Sequence, residues 1–344
     1  MRLAPALLAA CAAVSAASDS SAADTPPKAE AGKPLRLALK AGRTYVYRLS
    51  EKIVIREPVT VTEMDGSPIE SRADVVWDVG LTLQRAEAGG DSIVSLMPKR
   101  VRGTVTEFAG KPAPFDSEDP KSGVTSPVLE RGIRVRLSPR GRVLEVTGPS
   151  PAPLAGAGPD VRIALARLGG DFVRPFAEQF FHEVPKEAPK KDLAWEQSRA
   201  LALEWDLWER ENQVVGRSLG DVTESSVVQA LSADVVTASL RARGKRDAPR
   251  VDEPLDADRM TLADLTKLGD QLDEWLVLGE VRIRRDCGLV QSRTSTTTLS
   301  THMNSMRVPG ANVPPIPGLA GDVTSAPSDR THEISSRLEL VEVR

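Results

Sequence analysis

Asp74-Val75-Val76-Trp77-Asp78-Val79-Gly80-Leu81-Thr82-Leu83-Gln84 is the stretch that decides the fold class of this chain. Val75, Trp77, Val79, Leu81 and Leu83 take every second position, and Asp74, Asp78, Thr82 and Gln84 stand between them. Successive side chains of a strand point to opposite faces, so this period of two marks a strand buried on one side and wetted on the other. The same alternation precedes it over residues 43–56, where Tyr45, Tyr47, Leu49, Ile53 and Ile55 share one parity and Thr44, Arg48, Ser50, Lys52 and Arg56 the other.

Working outward, Gly89-Gly90 predicts a turn into a third strand over 92–107, and Ser138-Pro139-Arg140-Gly141 predicts a hairpin between Ile133/Val135/Leu137 and 143–146. The second half repeats the β character. Leu201, Leu203, Trp205 and Leu207 share a parity, residues 222–240 read as two long strands, and Trp275, Val277, Val281 and Ile283 alternate with Glu274, Glu280, Arg282 and Arg284. Asp286-Cys287-Gly288 turns the chain into a Ser/Thr-rich strand over 289–301 with one solvated face, and Ile334, Leu338 and Leu340 begin the last strand. Residues 307–327, rich in Pro and Gly, read as a long loop.

Two helical signals interrupt the strands. Residues 148–158 hold three prolines and three glycines and read as a linker or wide loop. After it Val161, Leu165, Leu168, Phe172, Phe176 and Phe180 recur at helical steps, with Gly169-Gly170 and Pro175 predicting a kink or two short helices. Thr261-Leu262-Ala263-Asp264 reads as a capping box that opens a short helix. The expected fold is therefore mainly β: an antiparallel curved sheet or half-barrel with a short kinked helix on one face. Its expected units are a first β unit over 35–148, a linker and helical segment over 149–190, and a second β unit over 191–344.

Arg2 followed by the short apolar run 3–10 directs the chain out of the cytoplasm. Two processing routes fit residues 1–23. Cleavage after Ser15-Ala16-Ala17 or Ser21-Ala22-Ala23 frees a soluble protein, whereas Leu8-Ala9-Ala10-Cys11 is similar to a bacterial lipoprotein signal, with Cys11 as the lipidated residue. Residues 24–34 read as a disordered linker, since they offer too little apolar surface to offset chain entropy. No other stretch approaches the ~18 apolar residues of a membrane helix, so membrane contact is expected only through that lipid.

Composition narrows the function classes. The 344 residues carry a formal charge of -3, which gives no electrostatic reason to expect nucleic acid. Cys287 is the one thiol besides Cys11, so a core and not a disulfide must hold the fold; it is expected to be buried. No metal site is expected, because His182, His302 and His332 lie far apart and Asp116, Glu118 and Asp119 lack the glycine and distal glutamate of a calcium loop. Without a phosphate-cradling loop, no nucleotide cofactor is expected either.

Catalytic patterns are weak. Gly216-Arg217-Ser218-Leu219-Gly220 matches a nucleophile elbow, but the elbow needs a helix after the serine and residues 221–231 read as strand. Glu204, Asp206, Glu209 and Glu211 fit a charged outer sheet face better than an acid/base pair, and Trp205 and Trp208 have opposite strand parity, which precludes a flat sugar platform.

The run Lys40-Ala41-Gly42-Arg43-Thr44-Tyr45, the turn Asp116-Ser117-Glu118-Asp119-Pro120 and the hairpin Ser138-Pro139-Arg140-Gly141-Arg142-Val143 together resemble an uncharacterised family of secreted bacterial β-rich proteins. The resemblance lies mainly over 35–148 and implies a β-rich fold; that family supplies no catalytic residues to carry over. The expected function is a non-catalytic binding module of the bacterial cell envelope, with an apolar ligand or an envelope protein as partner. The alternatives are an envelope structural or interaction protein using the 307–327 loop, and a serine hydrolase centred on Ser218.

Overall fold

The computed structural model describes residues 32–57, 69–106, 111–122, 127–148, 173–210, 213–245, 255–256, 270–303, 306–308, 323–324 and 328–344. The alternating stretches form β1 (Thr44–Glu57), β2 (Ile69–Ala86) and β3 (Ser92–Thr106). A short β4 (Ala113–Asp116) and helix α1 (Pro127–Arg131) lead to the hairpin β5 (Ile133–Leu137) and β6 (Val143–Thr147). Helix α2 (Val173–Glu178) precedes β7 (Ala194–Arg210), β8 (Gln213–Leu231), β9 (Val235–Lys245), β10 (Leu255–Asp256) and β11 (Asp270–Arg284). The chain ends with β12 (Val290–Met303), β13 (Met306–Val308), β14 (Val323–Thr324) and β15 (Ser328–Val343).

Twelve strands make one open sheet in the order β6-β5-β3-β2-β1-β15-β12-β11-β9-β8-β7, with β4 beside β3. Its pairings are all antiparallel. Successive long strands are neighbours, and β1 also pairs with β15, with Leu49 opposite Leu338 and Ile53 opposite Ile334. That is the order of an up-and-down barrel broken once. The break, or seam, falls between β6 and β7, the two edges of the sheet.

Parity sets the inside. Tyr45, Tyr47, Leu49, Ile53 and Ile55 of β1 and Ala73, Val75, Trp77, Val79 and Leu81 of β2 are buried, and both β stretches feed one hydrophobic cluster. The two β units therefore share a single core. On the outside, Arg48 pairs with Asp78, which also accepts from Arg102, and Arg243 pairs with Glu274. Thr294, Thr296 and Thr298 of β12 are exposed, as expected for the solvated face of that strand.

Helix α2 lies against β5 and β6 on one side of the seam and β7 on the other, so the sheet is curved until one short helix reaches both edges. Its aromatic residues project across the interior. Phe176 meets Trp77 edge-on at 5.3 Å, Phe176 meets Phe180 at 5.3 Å, and Phe180 meets Tyr47 at 5.8 Å. Each buried phenylalanine contributes about 2–3 kcal/mol of apolar transfer free energy, which is what holds so short a helix in place. Phe176 and Phe180 thus fill this part of the interior. The rest of the apolar stripe, Val161 to Phe172, lies outside the described residues, as does the Thr261 capping box.

Two further differences from the sequence reading are local. Within 307–327, read as loop throughout, β13 pairs with β14 and β10, making a small second sheet. One end of the barrel is covered by the segment before β1, where Leu37 N–H donates to Pro139 O and Ala38 N–H to Cys287 O, both at 2.9 Å.

Candidate functional site

The seam carries the polar chemistry of the interior. The β5–β6 turn is built on Ser138, whose Oγ accepts from the N–H groups of Arg140 and Arg142, and on Gly141, at φ +83°. A side chain at Gly141 would be strained by that φ and would press on His182 O, 2.9 Å from an added Cβ. The glycine lets the segment after α2 lie close. Val184 N–H donates to Arg140 O, Arg140 Nε donates to Val184 O, and the Arg140 guanidinium pairs with Glu183 at 2.8 Å. From β7, Trp195 Nε1 donates to Glu183 O, and Gln197 Oε1 accepts from Glu183 N–H. Residues 180–184 are thereby tied to both edges where the strand ladder is missing.

Inward of this strap lies a buried network on β7, β8 and β12. Because Gln197 Oε1 is taken by a backbone donor, its Nε2 faces both Glu224 Oε1, at 2.6 Å, and His182 Nδ1, at 2.9 Å. His182 Nδ1 must then accept, which leaves the proton on Nε2 to be donated to Ser226 Oγ at 3.3 Å. Burial, with a smaller push from the Arg199 charge, lowers the His182 pKa to about 3, so the ring is neutral at physiological pH.

Glu224 is the carboxylate at the centre. Its Oε2 accepts from Arg293 Nη2 at 2.7 Å and lies 3.6 Å from Arg199 Nη1. Arg199 Nη2 donates to Glu178 O at 2.7 Å, while the Glu178 carboxylate accepts from Ala200 N–H and Arg174 Nε. Arg199 and Arg293 are 7% and 4% exposed, yet Arg199 Nη1, Arg293 Nε and Arg293 Nη1 have no hydrogen-bond partner. A small cleft bordered by Gly141, Arg142, Glu178 and Gln197 opens over Arg199.

The sequence-derived candidates fall elsewhere or are spent on structure. His302 contacts Asp329 at 2.6 Å and His332 contacts Thr301 at 3.2 Å, and neither is joined to His182. Asp116 and Glu118 both pair with Arg100, and Asp119 caps Lys121 N–H, which makes this segment an ion-paired turn. Ser218 lies inside β8, which runs without a break from Gln213 to Leu231, so the strand–turn–helix of a nucleophile elbow is not formed. The side chains of residues 202–220, including Glu204, Asp206, Glu209 and Glu211, and all of Cys11 lie outside the described residues. Cys287 is a free, buried thiol, its pKa pushed up to about 12 by burial.

Arg199, Glu224 and Arg293 were missed. The sequence signal for two of them is charge at positions followed on the same parity by apolar or small residues, Arg199 before Leu201 and Glu224 before Ser226 and Val228; Arg293, between Gln291 and Ser295, carries none.

No family model and no curated protein matches the chain. Among solved structures it is similar to lipovitellin, from a study of lipid–protein interactions, with TM-score 0.42 and 11% identity over 89% of this chain; the match spans 26% of the lipovitellin chain. It is also similar to an outer membrane channel from Pseudomonas putida F1 (TM-score 0.23, 8% identity, 88% of this chain and 97% of that one). A third likeness is to the InvG secretin domain β-barrel from the Salmonella SPI-1 injectisome (TM-score 0.16, 10% identity, 90% of this chain and 63% of that one). At such TM-scores these likenesses carry no argument about this chain. No helix among the described residues is long and apolar enough to cross a membrane.

Proposed function

We propose that the protein is a non-catalytic binding module of the bacterial cell envelope that takes an apolar ligand at the seam between β6 and β7. The observation that carries this reading is the way the two edges of the open sheet are joined. Ten of the long-strand junctions are strand ladders, but the last is bridged by α2 and the 180–184 strap through side chains and a few backbone hydrogen bonds. Shifting one short element there opens the apolar interior without breaking a ladder. A ligand with an apolar body would replace Phe176 and Phe180 against Trp77 and Tyr47.

The outer face fits a protein bathed in water. The Arg48–Asp78–Arg102 cluster stands within the strands on the convex side, where a lipid-facing band would have to be apolar. Membrane contact is accordingly assigned to acyl chains on Cys11.

Native mass spectrometry of the protein purified from envelope fractions tests the reading. The expected result is a co-purifying apolar compound that organic extraction removes; preparations that are repeatedly empty overturn it. The intact mass of the mature N-terminus tests the anchor: an acyl adduct on Cys11 is expected, and a chain starting near Ser18 or Asp24 refutes it.

A further inference from the structure

We infer that Arg199 and Arg293 form a buried oxyanion site, one that binds a carboxylate or phosphate group reaching it through the cleft at the seam. Two guanidinium cations converge on one carboxylate oxygen of Glu224, at 2.7 Å and 3.6 Å, so the pair carries one positive charge more than its shared partner. Among the described residues, the Glu178 carboxylate is already engaged by Arg174 and Ala200 N–H, and His182 is neutral. A buried donor without an acceptor is costly to keep out of water.

The geometry points to an oxyanion as the missing acceptor. Three guanidinium nitrogens on two side chains are unpartnered, and guanidinium forks match the paired oxygens of carboxylates and phosphates. The nearest opening among the described residues is the small cleft at the seam, which Arg199 lines and Arg293 does not. The cleft has Arg142 exposed on its rim and Arg199 at its base, so positive charge lines the path inward. The acidic residues along it, Glu178 and Glu183, are paired with Arg174 and Arg140, and Arg174 is shared with Asp221. The site uses the same seam as the proposed apolar ligand but does not depend on that ligand having an apolar part.

The experiment is a titration of the full-length protein with inorganic phosphate and, separately, with acetate, against sodium chloride at matched ionic strength. Thermal melting and the 15N–1H resonance of the Arg293 Nε group are followed. The expected result is a saturable rise in Tm and a saturable shift of that resonance with at least one oxyanion, neither of which chloride reproduces. Whichever of the two anions binds more tightly identifies the ligand group as phosphate or carboxylate. Arg199→Met, which leaves Arg293 to pair with Glu224, is expected to weaken the oxyanion at least tenfold.

Absence of saturation by both anions overturns the site, and so does a response that chloride matches or that Arg199→Met leaves unchanged. If Arg199→Met does not fold, the Arg293 resonance in the unaltered protein decides alone. Phosphate and acetate have no apolar body, so an empty protein that still binds them refutes only the apolar-ligand reading. A protein that co-purifies with an uncharged lipid and ignores them refutes only the oxyanion site.

Discussion

Arg293 on β12 donates from Nη2 to Glu224 Oε2 on β8 across 2.7 Å, although β11 and β9 lie between their two strands in the sheet. Such a chord is possible only because the sheet curls, which brings the inward faces of β8 and β12 together over β9 and β11. Removing the shared carboxylate strands two buried cations. Glu224→Gln is therefore expected to lose about 3–5 kcal/mol of stability, the usual cost of breaking a buried pair from one side. Adding Arg293→Met to that variant should restore part of the loss, because it removes one of the stranded charges. Urea denaturation of the single and double variants checks this, and strictly additive losses would contradict the pairing.

Acid should destabilise the protein in two separate steps. Burial lowers His182 from 6.5 to about 3 and His332 from 6.5 to about 4, the latter helped by the Arg330 charge. Between these values and 6.5 the unfolded chain binds protons that the folded one excludes. Stability is thus full above pH 6.5 and falls as pH drops below it, by about 1 kcal/mol per pH unit for each histidine in its window. Carboxylates such as Asp116, held below the usual range by its hydrogen bonds from Arg100 and Glu118 N–H, release their contribution only below about pH 4. Urea midpoints measured at pH 7.5, 6.5, 5.5 and 4.5 should decline over the last three, and His182→Gln should flatten the slope. A midpoint constant from pH 6.5 to 4.5 refutes the assignment.

The fold was legible where one face of a strand is apolar and the other polar, as at Trp77 and Tyr47. It was less legible where the interior is itself charged. Arg199, Glu224 and Arg293 have the parity of core residues, but a sequence gives no means of telling a buried arginine from an exposed one until its partner across the barrel is known. Trp195 carries no local signal of its role, which is to hold the strap by donating to Glu183 O. Strand count and turn positions follow from local patterns, whereas the β1–β15 pairing joins residues nearly a whole chain apart. That pairing turns two β stretches into one barrel with one seam, and local periodicity carries no trace of it. The single hairpin turn at Ser138 to Gly141 was read correctly, but its second role, receiving the strap at Arg140 O, depends on a segment more than forty residues later.

Gly244 is opposite Trp275 in the β9–β11 ladder, and a Cβ placed on it would lie 1.8 Å from the indole ring. The indole lies across the backbone there, which only a glycine permits. Gly244→Ala should cost about 1–3 kcal/mol by overpacking, and Trp275→Leu in the same chain should recover much of it. Thermal melts of the three variants test this; a Gly244→Ala protein as stable as the parent would show that Trp275 does not rest on this strand.

Phe180 is the residue on which the seam should depend most. It is fully buried, touches Tyr47 on the far wall edge-on at 5.8 Å, and begins the strap just after α2. Truncation to alanine removes that contact and leaves a cavity, at an expected cost of about 3–5 kcal/mol. The loss should not be spread evenly over the molecule. The strap is held at Glu183 and Val184, by Arg140 on one side of the seam and Gln197 on the other, so loosening Phe180 frees the edges β6 and β7 while β1, β2 and β15 keep both of their ladder partners. Hydrogen exchange in Phe180→Ala should therefore accelerate in β6, α2 and the first half of β7 and change little in β1 and β15. Uniform acceleration across all strands would mean that the barrel opens as a unit. Protection retained at β6 and β7 would mean that the edges are held together by something other than α2 and its strap.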